Sequence, residues 1–407
     1  MPARNVGRPH ASTSTDSGKR AATSRTCARS GSPSSYIRGC SMRPPGDRGG
    51  VGVRAGGAAS TLPTRAAQGS VGRMEKRVLG RTGRSVGVVG LGCWQLGGDW
   101  GDVGDDDALA VLDAAVADGV TFLDTADVYG DGRSERLVGK FLQAQRAAGG
   151  EVPTVATKMG RRAAPHDADA YTLDAFRAWN DRSRENLGVD TLDLVQLHCP
   201  PTEVYSRDAV YDALETLVQE ERIAAYGVSV ETVDEALTAI ARPNVASVQI
   251  ILNVFRRKPL ERVLPAALEA GVGIIARVPL ASGLLSGKYD ASTQFAENDH
   301  RTYNRQGEAF DVGETFAGVP FEVGVAAAQE VAEIGRRVAP DATTAQLALR
   351  WIVDQPGVST VIPGARNGEQ ARANAAAAAL APLDAEALAA LEDVYDRSIR
   401  EHVHGRW

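Results

Sequence analysis

Cysteine is scarce in this chain of 407 residues: there are four, and Cys27 and Cys40 fall within the first 73 positions. Cys93 and Cys199 are widely separated, which excludes a disulfide framework or a zinc site of ordinary ligand spacing, so reduced thiols and no metal are expected. Long apolar runs are lacking as well. No window approaches the roughly 18 uncharged apolar residues of a membrane helix, and the amino-terminal stretch has no apolar core of the kind a secretory signal carries. A GxGxxG turn is also missing. Gly90-Leu91-Gly92 is a fragment of one with no helix directly behind it, which argues against an open, doubly wound nucleotide-binding sheet.

What is present divides sharply by charge. Residues 1–73 carry 12 Lys/Arg against only Asp16 and Asp47, and are crowded with Gly, Ser, Pro and Ala. Such a segment buries too little apolar surface to offset its ordering entropy, so a disordered basic extension is expected. Its composition loosely fits a transit peptide or a basic nucleic-acid arm. The plainer reading makes Met74 the natural start and the preceding residues a mis-called extension. Residues 74–407 retain 33 Lys/Arg and 49 Asp/Glu, a net charge of −16. That acidity argues against a nucleic-acid partner; reduced thiols in a cytoplasmic protein are the default expectation.

From residue 75 short apolar runs alternate with amphipathic stretches. RVLGRTGRSVGVV reads as a β-hairpin turning near Thr82-Gly83. Apolar runs at 88–93, 120–124, 153–158, 192–198, 224–229, 245–250, 272–276 and 358–362 read as eight strands. Each is followed by helical sequence, beginning with 107–119, where Leu109, Leu112 and Val116 share one face. Strands buried on both faces read as continuous apolar runs. Eight such βα units predict an α/β fold, a closed (β/α)8 TIM barrel in residues 74–407 with an N-terminal hairpin. Residues 281–320 stand out as a long polar insertion, of the kind that shapes a substrate site, and 384–407 as a final helix with a short His/Arg tail.

In such a barrel chemistry sits where strands end. Asp124 and Tyr129 follow the second strand, Lys158 ends the third and His198 ends the fourth. A phenol titrates near pH 10, and an ammonium a few Å away favours the phenolate and lowers that value. A carboxylate keeps the lysine charged and in place, and an imidazole orients a carbonyl and assists proton delivery. The set suits a carbonyl that accepts hydride, whose developing alkoxide needs a proton.

FLDTADVYGDGRSERLVGK, VATKMG, LDLVQLHCP, YGVSV, VQIILNVF, PLASGLLSGKY and VIPGARNGEQARAN resemble, in order and spacing, the aldo-keto reductases, over about 75–395. The resemblance implies an NADPH-dependent oxidoreductase that reduces an aldehyde or ketone to an alcohol. Its catalytic tetrad would be Tyr129 as proton donor, Lys158 tuning it, Asp124 supporting Lys158, and His198 orienting the carbonyl. By matching positions it also implies a cofactor site. Ser229 and Gln249 would hold the nicotinamide carboxamide with Asn253 nearby, and Pro279, Leu280, Ser282, Gly283 and Leu285 would lie along the pyrophosphate. Gly364, Arg366, Gln370 and Asn374 would surround the adenosine 2′-phosphate and adenine. Arg366, at a helix start where backbone N–H groups favour anions, favours NADPH over NADH.

The chain departs from the family at three positions. Val230 stands where Asn commonly follows the GVS serine, Ala373 where an acidic residue often precedes the adenine-contacting Asn, and Arg277 where many members stack an aromatic on the nicotinamide. Arg277 could stack through its guanidinium, bind an anionic substrate group, or form a salt bridge to a neighbouring loop. Trp94, Trp100 and Cys199 are the expected substrate lining, with His300, Arg301 and Tyr303 of the insertion as further candidates. Potassium-channel β subunits share this fold and tetrad, so a redox-sensing regulatory subunit with slow turnover is the alternative. Neither substrate identity nor oligomeric state is legible in the residues.

Overall fold

A computed structural model describes residues 74–98 and 103–407 of the chain. The expected disordered extension over 1–73 and the candidate Trp100 lie outside the described residues.

The chain opens with the expected hairpin, β1 (Lys76–Val78) pairing antiparallel with β2 (Ser85–Gly87). The turn is longer than a two-residue type: a 3-10 turn over Gly80–Thr82 ends at Gly83, whose φ is +67°. The hairpin lies across one end of the barrel. Leu79 and Val86 drop into a cluster with Phe122, Ala156, Leu194, Ile275 and Ile362. These residues come from four barrel strands and the end of a fifth, so the hairpin plugs the barrel floor. Gly80 permits this approach, because a Cβ there would lie 2.1 Å from the Ala246 carbonyl oxygen and 2.2 Å from the Gly273 nitrogen.

Eight parallel strands follow: β3 (Leu91–Gly92), β4 (Phe122–Asp124), β5 (Thr154–Met159), β6 (Leu194–His198), β7 (Tyr226–Ser229), β8 (Ser247–Ile251), β9 (Gly273–Arg277) and β10 (Val358–Val361). Each pairs with the next, as the apolar runs predicted. The first and last strands also meet. Val361 N donates to Val88 O, Gly90 N to Val361 O and Gly92 N to Pro363 O at 2.8–3.0 Å, with a parallel bridge between Gly92 and Gly364. Those bonds close the barrel.

Helices α1 (Asp105–Ala117), α2 (Arg133–Ala148), α3 (Leu173–Leu187), α4 (Asp208–Gln219), α5 (Val233–Ile240) and α6 (Pro259–Ala270) fill the crossovers. Thr232 caps α5 reciprocally with Glu235, which satisfies donors that the first helical turn leaves unpaired. After β9 come the short α7 (His300–Tyr303), then α8 (Phe321–Val338) and α9 (Thr344–Val353). The chain ends with α10 (Gly368–Ala376), α11 (Ala385–Val394) and α12 (Arg400–Val403).

The insertion 281–320 is less polar in place than in sequence. Ala281, Leu284, Leu285, Phe316 and Ala317 are all buried, and so are His300, Arg301 and Asn304. The C-terminal tail fastens it: the Trp407 ring lies 3.6 Å from the Arg256 guanidinium, and its Nε1 donates to Asp311 at 3.0 Å. Among the described residues no helix is long and apolar enough to cross a membrane.

Candidate active site

A cavity of about 580 Å3 opens at the end of the barrel where the strands finish. It falls within the usual range for small-molecule sites. Asp124, His198, Ser229 and Arg277 are the last residues of β4, β6, β7 and β9, so strand ends place them on one rim.

The loop after β4 turns through Gly130, with φ +57°, and brings Tyr129 against the segment 94–97. A Cβ on Gly130 would sit 2.2 Å from the Gly97 carbonyl oxygen, so this approach requires glycine. It lays the Trp94 ring near-parallel to Tyr129 with centroids 6.0 Å apart, and Trp94 contacts His300 at 4.8 Å on its other side.

Lys158 Nζ donates to Asp124 Oδ1 at 2.5 Å, to Thr125 O at 2.9 Å and to the Tyr129 hydroxyl at 3.1 Å. The ammonium is 1% exposed. Burial alone would neutralise it, but the Asp124 carboxylate and the Tyr129 hydroxyl override this and hold the Lys158 pKa above its usual value. The sequence led to a lowered Tyr129 pKa, and here the structure corrects the reading. Burial raises it and outweighs the opposing pull of Lys158, so the phenol keeps its proton firmly at neutral pH.

The His198 ring meets Tyr129 edge-on at 5.8 Å, and its Nδ1 has no hydrogen-bond partner. Burial holds its pKa well below the usual 6.5, reinforced by Arg161, Lys158 and Arg277, so the imidazole is neutral. The site thus pairs one buried cation, one anion and a protonated phenol with a neutral hydrogen-bonding ring.

Several expected cofactor residues line the same cavity: Ser229, Gln249, Pro279, Leu280, Ser282, Gly283, Gly364, Arg366, Gln370 and Asn374. The far end is built at the start of α10, where Asn367 caps the helix, Gln370 Oε1 accepts from Arg366 N at 2.9 Å and Asn374 donates to Gly364 O at 3.1 Å. Gly283 and Gly364 leave room in the wall. A Cβ on Gly283, at φ +96°, would meet the Tyr289 hydroxyl at 2.2 Å, and one on Gly364 the Gln95 amide at 2.0 Å. A long cleft with a cationic, helix-capped end and glycines where its walls close in fits an extended phosphate-bearing ligand such as NADPH.

The remaining candidates divide between the cavity wall and the protein interior. Leu285 is wholly buried among the core side chains, so it packs rather than lines. Asn253 is buried too: its amide donates to Val278 O and its Oδ1 accepts from Phe255 N, both at 2.8 Å, which makes it a loop brace. Ser282 reaches the cavity wall, but its hydroxyl is engaged with Glu314 O at 3.0 Å and Phe316 N at 3.1 Å. Cys199, at φ +46°, lies behind the rim with Sγ 3.4 Å from Ser229 Oγ, and burial raises its thiol pKa to about 12. Trp94 and Arg301 line the cavity, whereas Tyr303 is largely exposed.

Arg277 lines the cavity with its guanidinium already engaged. It forms the salt bridge to a neighbouring loop: Nη2 lies 2.9 Å from Glu231 and donates to Val230 O at 3.0 Å, while Nη1 is 3.7 Å from Glu314. Arg161 completes the group, 2.6 Å from Glu314 and 3.6 Å from Glu231. Four ionisable side chains from four rim segments therefore close into one cluster. Cys199 shares it, but both carboxyl groups are already claimed by guanidinium groups. Sequence reasoning missed Arg161, Glu231 and Glu314, along with Lys288 and Tyr289 of the cavity wall.

The fold and this strand-end site define a (β/α)8-barrel oxidoreductase. The profile of the Aldo/keto reductase family matches residues 88–396, and the chain belongs to that family. It is 32% identical over 325 residues to the uncharacterized oxidoreductase YqkF of Bacillus subtilis (strain 168), covering 78% of this chain and 96% of that one. Among solved structures it is similar to a glycerol dehydrogenase from Gluconobacter oxydans, with TM-score 0.63 and 27% identity over 78% of this chain and 93% of that one. It is likewise similar to the holo form of an aldo-keto reductase from Bacillus halodurans, with TM-score 0.61 and 26% identity over 79% and 96% of the two chains.

Proposed function

We propose that this chain reduces an aldehyde or ketone to the alcohol using NADPH, with Tyr129 giving the proton. The observation that carries the reading is the unbroken line of contacts from the Tyr129 hydroxyl through Lys158 Nζ, at 3.1 Å, to Asp124, at 2.5 Å. The nicotinamide, when bound, supplies hydride to the carbonyl carbon.

The remaining chemistry belongs to the protein. His198, a neutral ring in the cavity lining, orients the carbonyl oxygen by a hydrogen bond. As negative charge grows on that oxygen, Tyr129 donates its proton and Lys158 stabilises the phenolate left behind. The phenol is protonated before the step, and although burial makes it a weaker acid, the Lys158 ammonium lowers the cost of losing that proton during it. Asp124 keeps Lys158 charged and fixed. Ser229 and Gln249 face the nicotinamide end, and Arg366 with the start of α10 faces the 2′-phosphate and adenine end. Trp94 forms an apolar wall for a small carbonyl compound.

The test is NADPH oxidation across a carbonyl panel with Tyr129→Phe as the control. Loss of a proton donor costs roughly 10²–10⁴ in rate, with little change in NADPH affinity. Turnover that survives the substitution would refute the assignment.

A further inference from the structure

Gln196 is a polar residue in the middle of an apolar strand, two positions before His198, and it is 0% exposed. It does not line the cavity. It lies in register with Lys158 across the β5–β6 ladder, beneath the reacting groups. A buried amide at this depth needs partners, and those it has are informative.

Asp124 Oδ1 is taken by Lys158, and Oδ2 accepts two hydrogen bonds: from Gln196 Nε2 at 3.1 Å and from Gln249 Nε2 at 2.8 Å. Gln249 Nε2 also donates to Gln196 Oε1 at 3.2 Å. A carboxylate only accepts, so both glutamines must turn their amide nitrogens to it. Gln249 spends both N–H donors on Asp124 and Gln196, and the group it has left to offer the cavity is its carbonyl oxygen.

We infer that Gln196 is a positioning residue with two targets: it helps hold Asp124 under Lys158, and it fixes Gln249 with its oxygen toward the nicotinamide carboxamide. The inference rests on the proposed reading of the site. Gln249 is the link between the nicotinamide end and the proton donor, and Gln196 together with Asp124 sets its orientation. The carboxamide then gives an N–H to Gln249 Oε1, and Ser229, whose hydroxyl lies on the neighbouring strand opposite Gln249, is left to serve the carboxamide oxygen.

Removing Gln196 has separable effects. Gln249 keeps its bond to Asp124 but loses the acceptor for its second N–H, so its carbonyl is held less firmly toward the cavity. Asp124 loses a donor, so its charge is less dispersed and weighs more on Tyr129. The experiment uses Gln196→Leu and Gln196→Glu in the full chain, with three readouts. First, the binding of NADP+ and of its 3-acetylpyridine analogue, which lacks the carboxamide N–H, is measured by quenching of protein fluorescence. Wild type should prefer NADP+ by about tenfold, the worth of one hydrogen bond, and Q196L should lose that preference. Second, the absorbance titration of the tyrosinate, wild type minus Tyr129→Phe, should move to higher pH in Q196L. Third, with any carbonyl that is turned over, kcat should fall about tenfold while KM for the carbonyl is unchanged.

Q196E keeps the size and the acceptor, and it donates to Asp124 only when protonated. When ionised it still accepts from Gln249 but gives Asp124 no donor, so it should bind NADP+ nearly as wild type while its tyrosinate titration moves to higher pH as in Q196L. Q196L that is less thermostable but keeps the analogue preference, the tyrosinate titration and kcat would make Gln196 a packing residue and overturn the inference. So would a Q196E tyrosinate titration that coincides with that of wild type. If no carbonyl is reduced by wild type, the proposed activity fails, while the binding and absorbance readouts still decide on Gln196.

Discussion

Glu231 and Glu314 look alike in sequence, yet the buried cluster assigns them opposite charge states, and removing the charge from each should have opposite consequences. For Glu314, burial opposes ionisation but Arg161 and Arg277 overcome it and hold its pKa at about 2. For Glu231, burial wins: despite Arg277, its pKa is pushed up to about 7. Each group lies about 2.5 pH units from the ordinary 4.5, in opposite directions. At about 1.4 kcal/mol per unit, displacements of this size are worth roughly a few kcal/mol.

The signs follow from which state binds more protons. Glu314 is depressed in the folded chain, so its contribution is fully present above pH 4.5 and is lost as pH falls toward 2. Glu231 is raised, so stability is undiminished below 4.5 and declines as pH climbs to 7. Glu231→Gln, which imitates the protonated form, should be nearly neutral at about pH 5. At about pH 8 it should stabilise by up to about 3 kcal/mol, a rise in Tm of several degrees at roughly 2 °C per kcal/mol. Glu314→Gln should destabilise at about pH 8 by about 1–3 kcal/mol. The lower bound reflects Glu231, which then ionises between the two guanidiniums and recovers part of the loss. Thermal melts of wild type and both variants at the two pH values are the assay. Equal destabilisation by the two substitutions at pH 8 would refute the division of roles.

Two further outcomes are expected. Arg366→Ala should weaken NADPH binding by about 10–100-fold, the worth of one charge-assisted contact, and leave NADH binding unchanged; equal losses for both cofactors in fluorescence titrations would remove Arg366 from the phosphate site. Because the His198 pKa is held well below 6.5, the kcat/KM profile should show no limb from this residue between about pH 6 and 8. A limb near 6.5 that vanishes in His198→Gln would show that the ring charges in that range.

The barrel was legible because its strands are buried on both faces, which writes each as an unbroken apolar run, and because Asp124, Lys158 and His198 close such runs. Contacts that join distant segments were not legible. Arg161 meets Glu314 across 153 positions, and nothing in the local sequence of either announces the other. Arg277 was recognised as a departure, but whether it served a ligand or a salt bridge depended on Glu231, which comes from another strand end. Asn253 and Leu285 sit in stretches that resemble the family while pointing into the protein, since a motif specifies a loop and not which of its side chains faces the cleft. Gln196 did leave a signal: an amide inside LDLVQLH breaks the apolar pattern of a doubly buried strand. The direction of the Tyr129 pKa needed the surrounding packing, because the charge of Lys158 and the loss of water oppose each other and only burial decides between them.

The closing seam of the barrel has a consequence for mechanical integrity. Gly92 and Gly364, which bridge the first and last strands, are also wall residues of the cleft. With β3 only two residues long, that join rests on a handful of backbone bonds and is the thinnest part of the cylinder. A molecule spanning the cleft therefore acts as a rivet across the joint, and the loaded barrel resists being prised open where the empty one is weakest.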